Sequence, residues 1–171
     1  MSVLFTVLVT FFAGMGAGLG TGFAGMSAAA VISPMLITFL HMDPYMAVGI
    51  ALSSDVLASA VSAYTYHKNK NLDLKNGLIM MASVLGYELK TAVGTSVFIM
   101  TFTALTGAVS HFMIGGTPDW LVWILCVVFT LLWARIAAVF ANKAEPKTLN
   151  RATGVVLVVL GVVIMGFNLL T

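Results

Sequence analysis

Between Leu4 and Leu40 the chain runs for 37 residues without one charged side chain. As a single straight helix this stretch would reach about 55 Å, at about 1.5 Å per residue, whereas the hydrocarbon core of a bilayer is about 30 Å thick. The run therefore has to break. The break is written in GMGAGLGTGFAGM, Gly14 to Met26, where six of thirteen residues are glycine, each weakening a helix by about 1 kcal/mol relative to alanine. Pro34 is a second punctuation mark. The expected order is a helix from Val3 to Leu19, a non-helical interruption whose backbone around Gly20 to Gly25 lines a polar cavity, and a short apolar segment from Ser27 to Leu40 ending at HMDP, His41 to Pro44. That second segment is too short for a full crossing and reads as a re-entrant or broken helix.

The rest of the chain repeats the theme. Thr91 to Gly116 and Ala152 to Thr171 are also free of charge, and over the whole sequence 60% of residues are hydrophobic and 8% charged, against roughly a quarter charged in a soluble domain. A soluble fold is excluded. The reading is an all-α, polytopic helical membrane protein with a glycine-rich broken helix, forming a single transmembrane domain over residues 1–171 in the plasma membrane, with its first apolar segment retained rather than removed as a signal peptide. Further segments are expected at Tyr45 to Tyr66, Gly77 to Tyr87 (a weak element, too short to cross unaided), Thr91 to Ile114, Trp120 to Ala141 and Ala152 to Leu169.

The net charge of +2 is too small to point to nucleic acid, and the basic residues sit in short loops, where they act as topology signals. Lys143, Lys147 and Arg151, supported by Arg135, place the loop Asn142 to Arg151 in the cytoplasm and the C-terminus outside. The loop with Lys68, Lys70 and Lys75 falls outside if Gly77 to Tyr87 crosses, and inside if that segment dips in and returns. The lone Cys126 excludes a disulfide within one chain. His41, His67 and His111 are too far apart to suggest a metal site, and nothing pairs a nucleophile with a base, so neither a catalytic residue nor a cofactor is expected.

AVG opens two of the long segments, at Ala47 to Gly49 and Ala92 to Gly94, a degenerate internal repeat of the kind that places a solute between halves in transporters. The stretches GLGTGFAGMSAAAVISPML, MDPYMAVGIALSSD, NLDLKNGL and AVGTSVFIMTFTALTGAVSHFMIGGTPDW together resemble the TauE/SafE family of sulfite exporters. The resemblance implies two related halves of about four helices each and the movement of small anions, especially sulfur-containing oxyanions or organosulfonates. Residues 1–86 resemble the first half and 87–171 the later part of the second. After Gly86 the chain passes straight to YELKTAVGTS, so the end of the third helix, the fourth, and the second glycine-rich opening are missing by an internal deletion. Two alternatives follow: a homodimer that restores the second glycine-rich element, or a non-transporting remnant or assembly partner of a full-length transporter.

Three groups of residues are the candidates. Gly20, Gly22, Phe23, Gly25 and Pro34 belong to the break, where backbone N–H groups and a half-helix dipole favour an anion; close helix packing of Gly14, Gly18 and Gly22 is the competing explanation. Gly49, Ser53, Ser54, Gly94, Thr95 and Ser96 belong to the two AVG segments, whose hydroxyls coordinate an oxyanion or bond between helices. Asp55 and His111 are the proton-coupling candidates. A carboxylate in an apolar segment costs roughly 3 kcal/mol on insertion scales, so Asp55 should face protein or water. The expected partners are the lipid bilayer and a small anionic solute. A C-terminal reporter that works only outside the cytoplasm is expected to be active, and one that works only in the cytoplasm silent.

Overall fold

The computed structural model describes residues 2–72, 89–115 and 117–145, and in the last segment 147–148, 151–152, 154–155, 158–159, 161–162 and 165–166. Five helices follow one another: α1 (Val3–Ala24), α2 (Ala29–Leu40), α3 (Pro44–Lys68), α4 (Leu89–Gly115) and α5 (Trp120–Lys143). The described residues of the last segment are helical as well, and no strand occurs among the described residues. All but α2 are long and apolar enough to cross a membrane. The protein is thus an all-α, multi-pass membrane protein.

The helix starts follow local chemistry. Asp43 accepts from the Met46 N–H at 3.1 Å with Pro44 as the first helical residue of α3, a position that suits proline because its missing donor would have no partner there. Asp119 does the same for α5, accepting from Leu121 and Val122 at 3.0 and 3.2 Å. Both acidic turns therefore cap the helix that follows.

The glycine-rich stretch corrects the sequence expectation. Instead of stopping near Leu19, α1 continues through Gly20 and Gly22 to Ala24, and only Gly25, at φ +65°, leaves the helix. The reason is packing. A Cβ added at Gly14 would lie 2.6 Å from Phe129 Cβ, one at Gly18 2.6 Å from the Ala134 nitrogen, and one at Gly22 2.5 Å from Ala137 Cβ. The opposing surface is small too, with Thr130, Ala134 and Ala138 fully buried. Glycines every fourth residue let the two backbones close on each other, and in lipid that contact offsets their poor helix propensity. Partner numbers rise together, so α1 and α5 run parallel.

The ends of the bundle settle the topology question. The Asn71 side-chain amide donates to Asn142 Oδ1 at 2.7 Å and Lys90 Nζ donates to the Asn142 carbonyl at 3.0 Å. The end of α3, the start of α4 and the end of α5 therefore share one end of the bundle. The segment Gly77 to Tyr87 lies outside the described residues, but the chain leaves and returns at the same end, as the second of the two topologies requires. At the opposite end Tyr45 stacks on His111 with ring centroids 4.1 Å apart, and its hydroxyl donates to the His111 carbonyl at 3.1 Å. Lys68, Lys70, Lys90 and Lys143 thus gather at one end, as the expected cytoplasmic placement of both basic loops requires.

Gly18→Ala is expected to destabilise the folded chain by about 1–3 kcal/mol, the usual cost of overpacking, whereas Gly154→Ala, where an added Cβ meets nothing within 4 Å, should be neutral; thermal unfolding in detergent compares them. Lys70→Cys and Lys143→Cys are expected to react with an impermeant maleimide in inside-out vesicles and not in right-side-out ones.

Candidate solute site at the break between α1 and α2

Leaving a helix inside a membrane exposes backbone groups that lipid cannot satisfy. Here they are closed locally. The Gly25 N–H donates to the Thr21 carbonyl at 3.0 Å and the Met26 N–H to the Gly20 carbonyl at 3.2 Å, while the Thr21 hydroxyl donates to the Met26 carbonyl at 2.8 Å. The freed Gly22 carbonyl accepts from the Tyr66 hydroxyl at 2.8 Å, a buried bond across to α3. Gly25 is required twice over, by its positive φ and because a Cβ there would sit 3.2 Å from Ser96 Cβ and Oγ.

After the break α2 begins beside Asp55. Ser27 Oγ donates to Asp55 Oδ2 at 2.6 Å and accepts from the Ala29 N–H at 3.3 Å, and the Ala28 N–H faces the same carboxyl. Asp55 is fully buried near the middle of α3, and its Oδ1 has no hydrogen-bond partner. From there α2, about 18 Å long at twelve residues, spans only about half of the bilayer core before the turn at His41 to Asp43. It is a half-helix whose N–H end points at a buried carboxyl deep in the bundle.

Hydroxyls extend this polar point across the bundle. Ser59 Oγ donates to the Asp55 carbonyl and accepts from Thr101 Oγ1 at 3.1 Å. Thr101 in turn borders a groove of about 310 Å³ between α3 and α4, lined also by Ala63, His67, Leu72 and Phe98. From Ser27 to Thr101, then, a polar seam links α2, α3 and α4.

The candidates named from the sequence distribute unevenly. Gly25 and Ser96 come together, Ser96 Oγ donating to the Gly25 carbonyl at 3.3 Å. Ser54 and Asp55 are buried side by side on α3. Gly20, which packs near Met26, and Gly22 are both helical, and Gly22 belongs to the α5 seam. Phe23 packs against the cluster that contains Tyr66 and Val97, Pro34 lies inside α2, and a Cβ added at Gly94 would lie 2.9 Å from Tyr66 Cβ. Thr95 is buried with an unpartnered hydroxyl. Ser53 accepts from the Trp123 indole N–H at 2.6 Å, and Gly49 faces His111 toward the other end, where an added Cβ would lie 3.2 Å from its Cδ2. Ser27 and Tyr66 were not among the candidates. A serine just before AAAV is an N-cap signal that could have pointed to Ser27; nothing local marks Tyr66, whose partner lies 44 residues away.

The sequence profile of the family described as Sulfite exporter TauE/SafE matches residues 10–86 and, in a second overlapping match, 77–164. The chain belongs to the TauE/SafE family. A relative from Bacillus subtilis (strain 168), described as "Probable membrane transporter protein YunE", is 35% identical over 72 residues, 42% of this chain. That alignment spans 26% of the relative's length. No solved structure matches the chain. Within this TauE/SafE protein, Ser27→Ala removes the donor to a buried carboxyl and is expected to cost about 1–3 kcal/mol of stability, while Ser27→Thr should retain most of it; thermal unfolding distinguishes the two.

Proposed function

We propose that the chain carries small anions, sulfur-containing oxyanions or organosulfonates, outward across the plasma membrane, with the break between α1 and α2 as the solute site. The observation that carries this reading is the half-helix α2, which starts at Ser27 and Ala28 inside the bundle. A helix N-terminus offers free N–H groups and the positive end of a dipole, and discontinuous helices use this against anionic groups in other transporters. The neighbouring Ser59, Ser96 and Thr101 add neutral donors, which suit an oxyanion without placing a fixed charge in lipid. Family membership and the printed name of the Bacillus subtilis relative support transport. No enzymatic role is proposed.

The assembly is part of the same reading. Among the described residues of α4, Ser96, Thr103, Thr106 and Ser110 are exposed. Hydroxyls on a spanning helix favour close protein contact over lipid. A second copy packed on α4 would cover this face and bring a second glycine-rich break to the site, completing what the internal deletion removes. The competing reading, a non-transporting remnant or assembly partner of a full-length transporter, draws on the same exposed face.

Ser110→Cys is expected to form a disulfide-linked dimer in native membranes, and the purified chain in liposomes is expected to release trapped sulfite only in the dimeric fraction. Release by monomers would overturn the pairing, and no release in either form would favour the assembly-partner reading.

A further inference from the structure

The N-terminus of α2 is already occupied by a group of this chain. Asp55, from α3, takes the Ser27 hydroxyl on Oδ2 at 2.6 Å and faces the Ala28 N–H, so its carboxyl stands where an anionic solute would stand. The carboxyl is fully buried and its Oδ1 is left without a partner. The surroundings are donors and a helix N-terminus, an arrangement that suits negative charge and repels a cation. Two anions cannot share this point, since both would be desolvated side by side at low dielectric.

We propose that Asp55 is a built-in stand-in for the solute: ionised, it closes the N-terminus of α2, and it yields that place to a monoanion when it takes up one proton. The inference rests on the anion-carrier reading and adds its coupling. Proton and monoanion arrive together, so the charge of the site is the same before and after, with one negative charge on the carboxylate in the closed state and on the solute in the open one. The Ser27 hydroxyl passes from one oxygen acceptor to another without being left unpaired. A sulfonate, with several equivalent oxygens on one centre, matches the donors released.

Among the described residues the other titratable groups stand apart from this point. Neither α1 nor α2 carries any. On α3 the Tyr66 hydroxyl is committed to the Gly22 carbonyl and Tyr64 is exposed. On α4 His111 packs against Gly49, six residues before Asp55 on α3, and stacks on Tyr45. On α5 Cys126 is buried in the core around Ile32 and Ile50, and Arg135 borders a groove with Tyr64. Asp55 is therefore the group whose removal should abolish the coupling.

Methanesulfonate is the probe, because its charge does not change between pH 5 and 8. Equilibrium binding to the purified chain, followed by fluorescence of Trp123, whose indole bonds Ser53 two residues from Asp55, is expected to tighten by about tenfold for each unit of pH lowered, the slope of one proton taken up per anion. Infrared difference spectra of the unaltered protein should show a protonated carboxyl C=O stretch appearing on addition of methanesulfonate. Asp55→Asn is expected to bind with no pH slope, Asp55→Glu to keep the slope, and His111→Gln to leave it unchanged. Binding independent of pH, a slope retained in Asp55→Asn, or no protonated carboxyl band would overturn the proposal; the infrared result decides even if the asparagine variant fails to fold. Proton-linked binding without flux in liposomes would leave the inference standing and remove the carrier reading, while flux without a pH slope would do the reverse.

Discussion

The seam between α1 and α5 sets the rest of the bundle. Gly14, Gly18 and Gly22 allow the two parallel backbones to approach until any added Cβ would collide with main chain or a small side chain, and lipid, being as apolar as the side chains, supplies no competing hydrophobic force. With α1 fixed against α5, the chain has one place to turn, at Gly25. There it meets α4 at Val93 and Ser96, and the Tyr66 hydroxyl ties the last turn to α3. The same contact that makes the glycines helical therefore decides where helicity ends.

The polar groups form a second layer of organisation. Once α1 stops, every backbone group near the turn needs a partner inside the protein, and Thr21, Tyr66 and Ser96 provide them from three helices. Asp55 completes the set by meeting the start of α2. In water such a carboxyl would gain little from a serine hydroxyl; surrounded by apolar helices, the bond and the half-helix dipole act at low dielectric, where each is stronger. A single chain thus holds both halves of an electrostatic pair, a helix N-terminus from α2 and a carboxyl from α3.

Much of this was legible in the sequence, and the reasons are specific. Charge-free runs announced the helices; the capping by Asp43 and Asp119 was not read, although a short acidic side chain ahead of an apolar run is a signal for it. The insertion cost of Asp55 turned it toward protein or water without any knowledge of its neighbours, and the structure has it fully buried in the bundle. The position of the break was misread because helix propensity was allowed to decide for Gly20 and Gly22, whereas the tertiary contact of Gly22 with Ala134 and Ala137 overrides it and carries the helix through Gly20. The pairing of Ser27 with Asp55 spans 28 residues and Asn71 with Asn142 spans 71; no local pattern encodes partners at such separations. Those long-range bonds are what bring the end of α3 and the end of α5 to the same end of the bundle, which loop charges had left open.

The parallel seam also has a consequence for synthesis. The glycine face of α1 finds its partner only when α5 has been made, about 120 residues later, or on the order of 10 s at ribosomal elongation rates of about 5–20 residues per second. Until then α1 waits in the bilayer with a bare groove along one side, while α2 and α3 emerge beside it. The start of α2 can meet Asp55 during that interval, because both belong to the part of the chain already inserted, so the half-helix would be set in place before its supporting wall arrives. Assembly would then proceed from the buried carboxyl outward, with α5 arriving after α2 and α3 are in place.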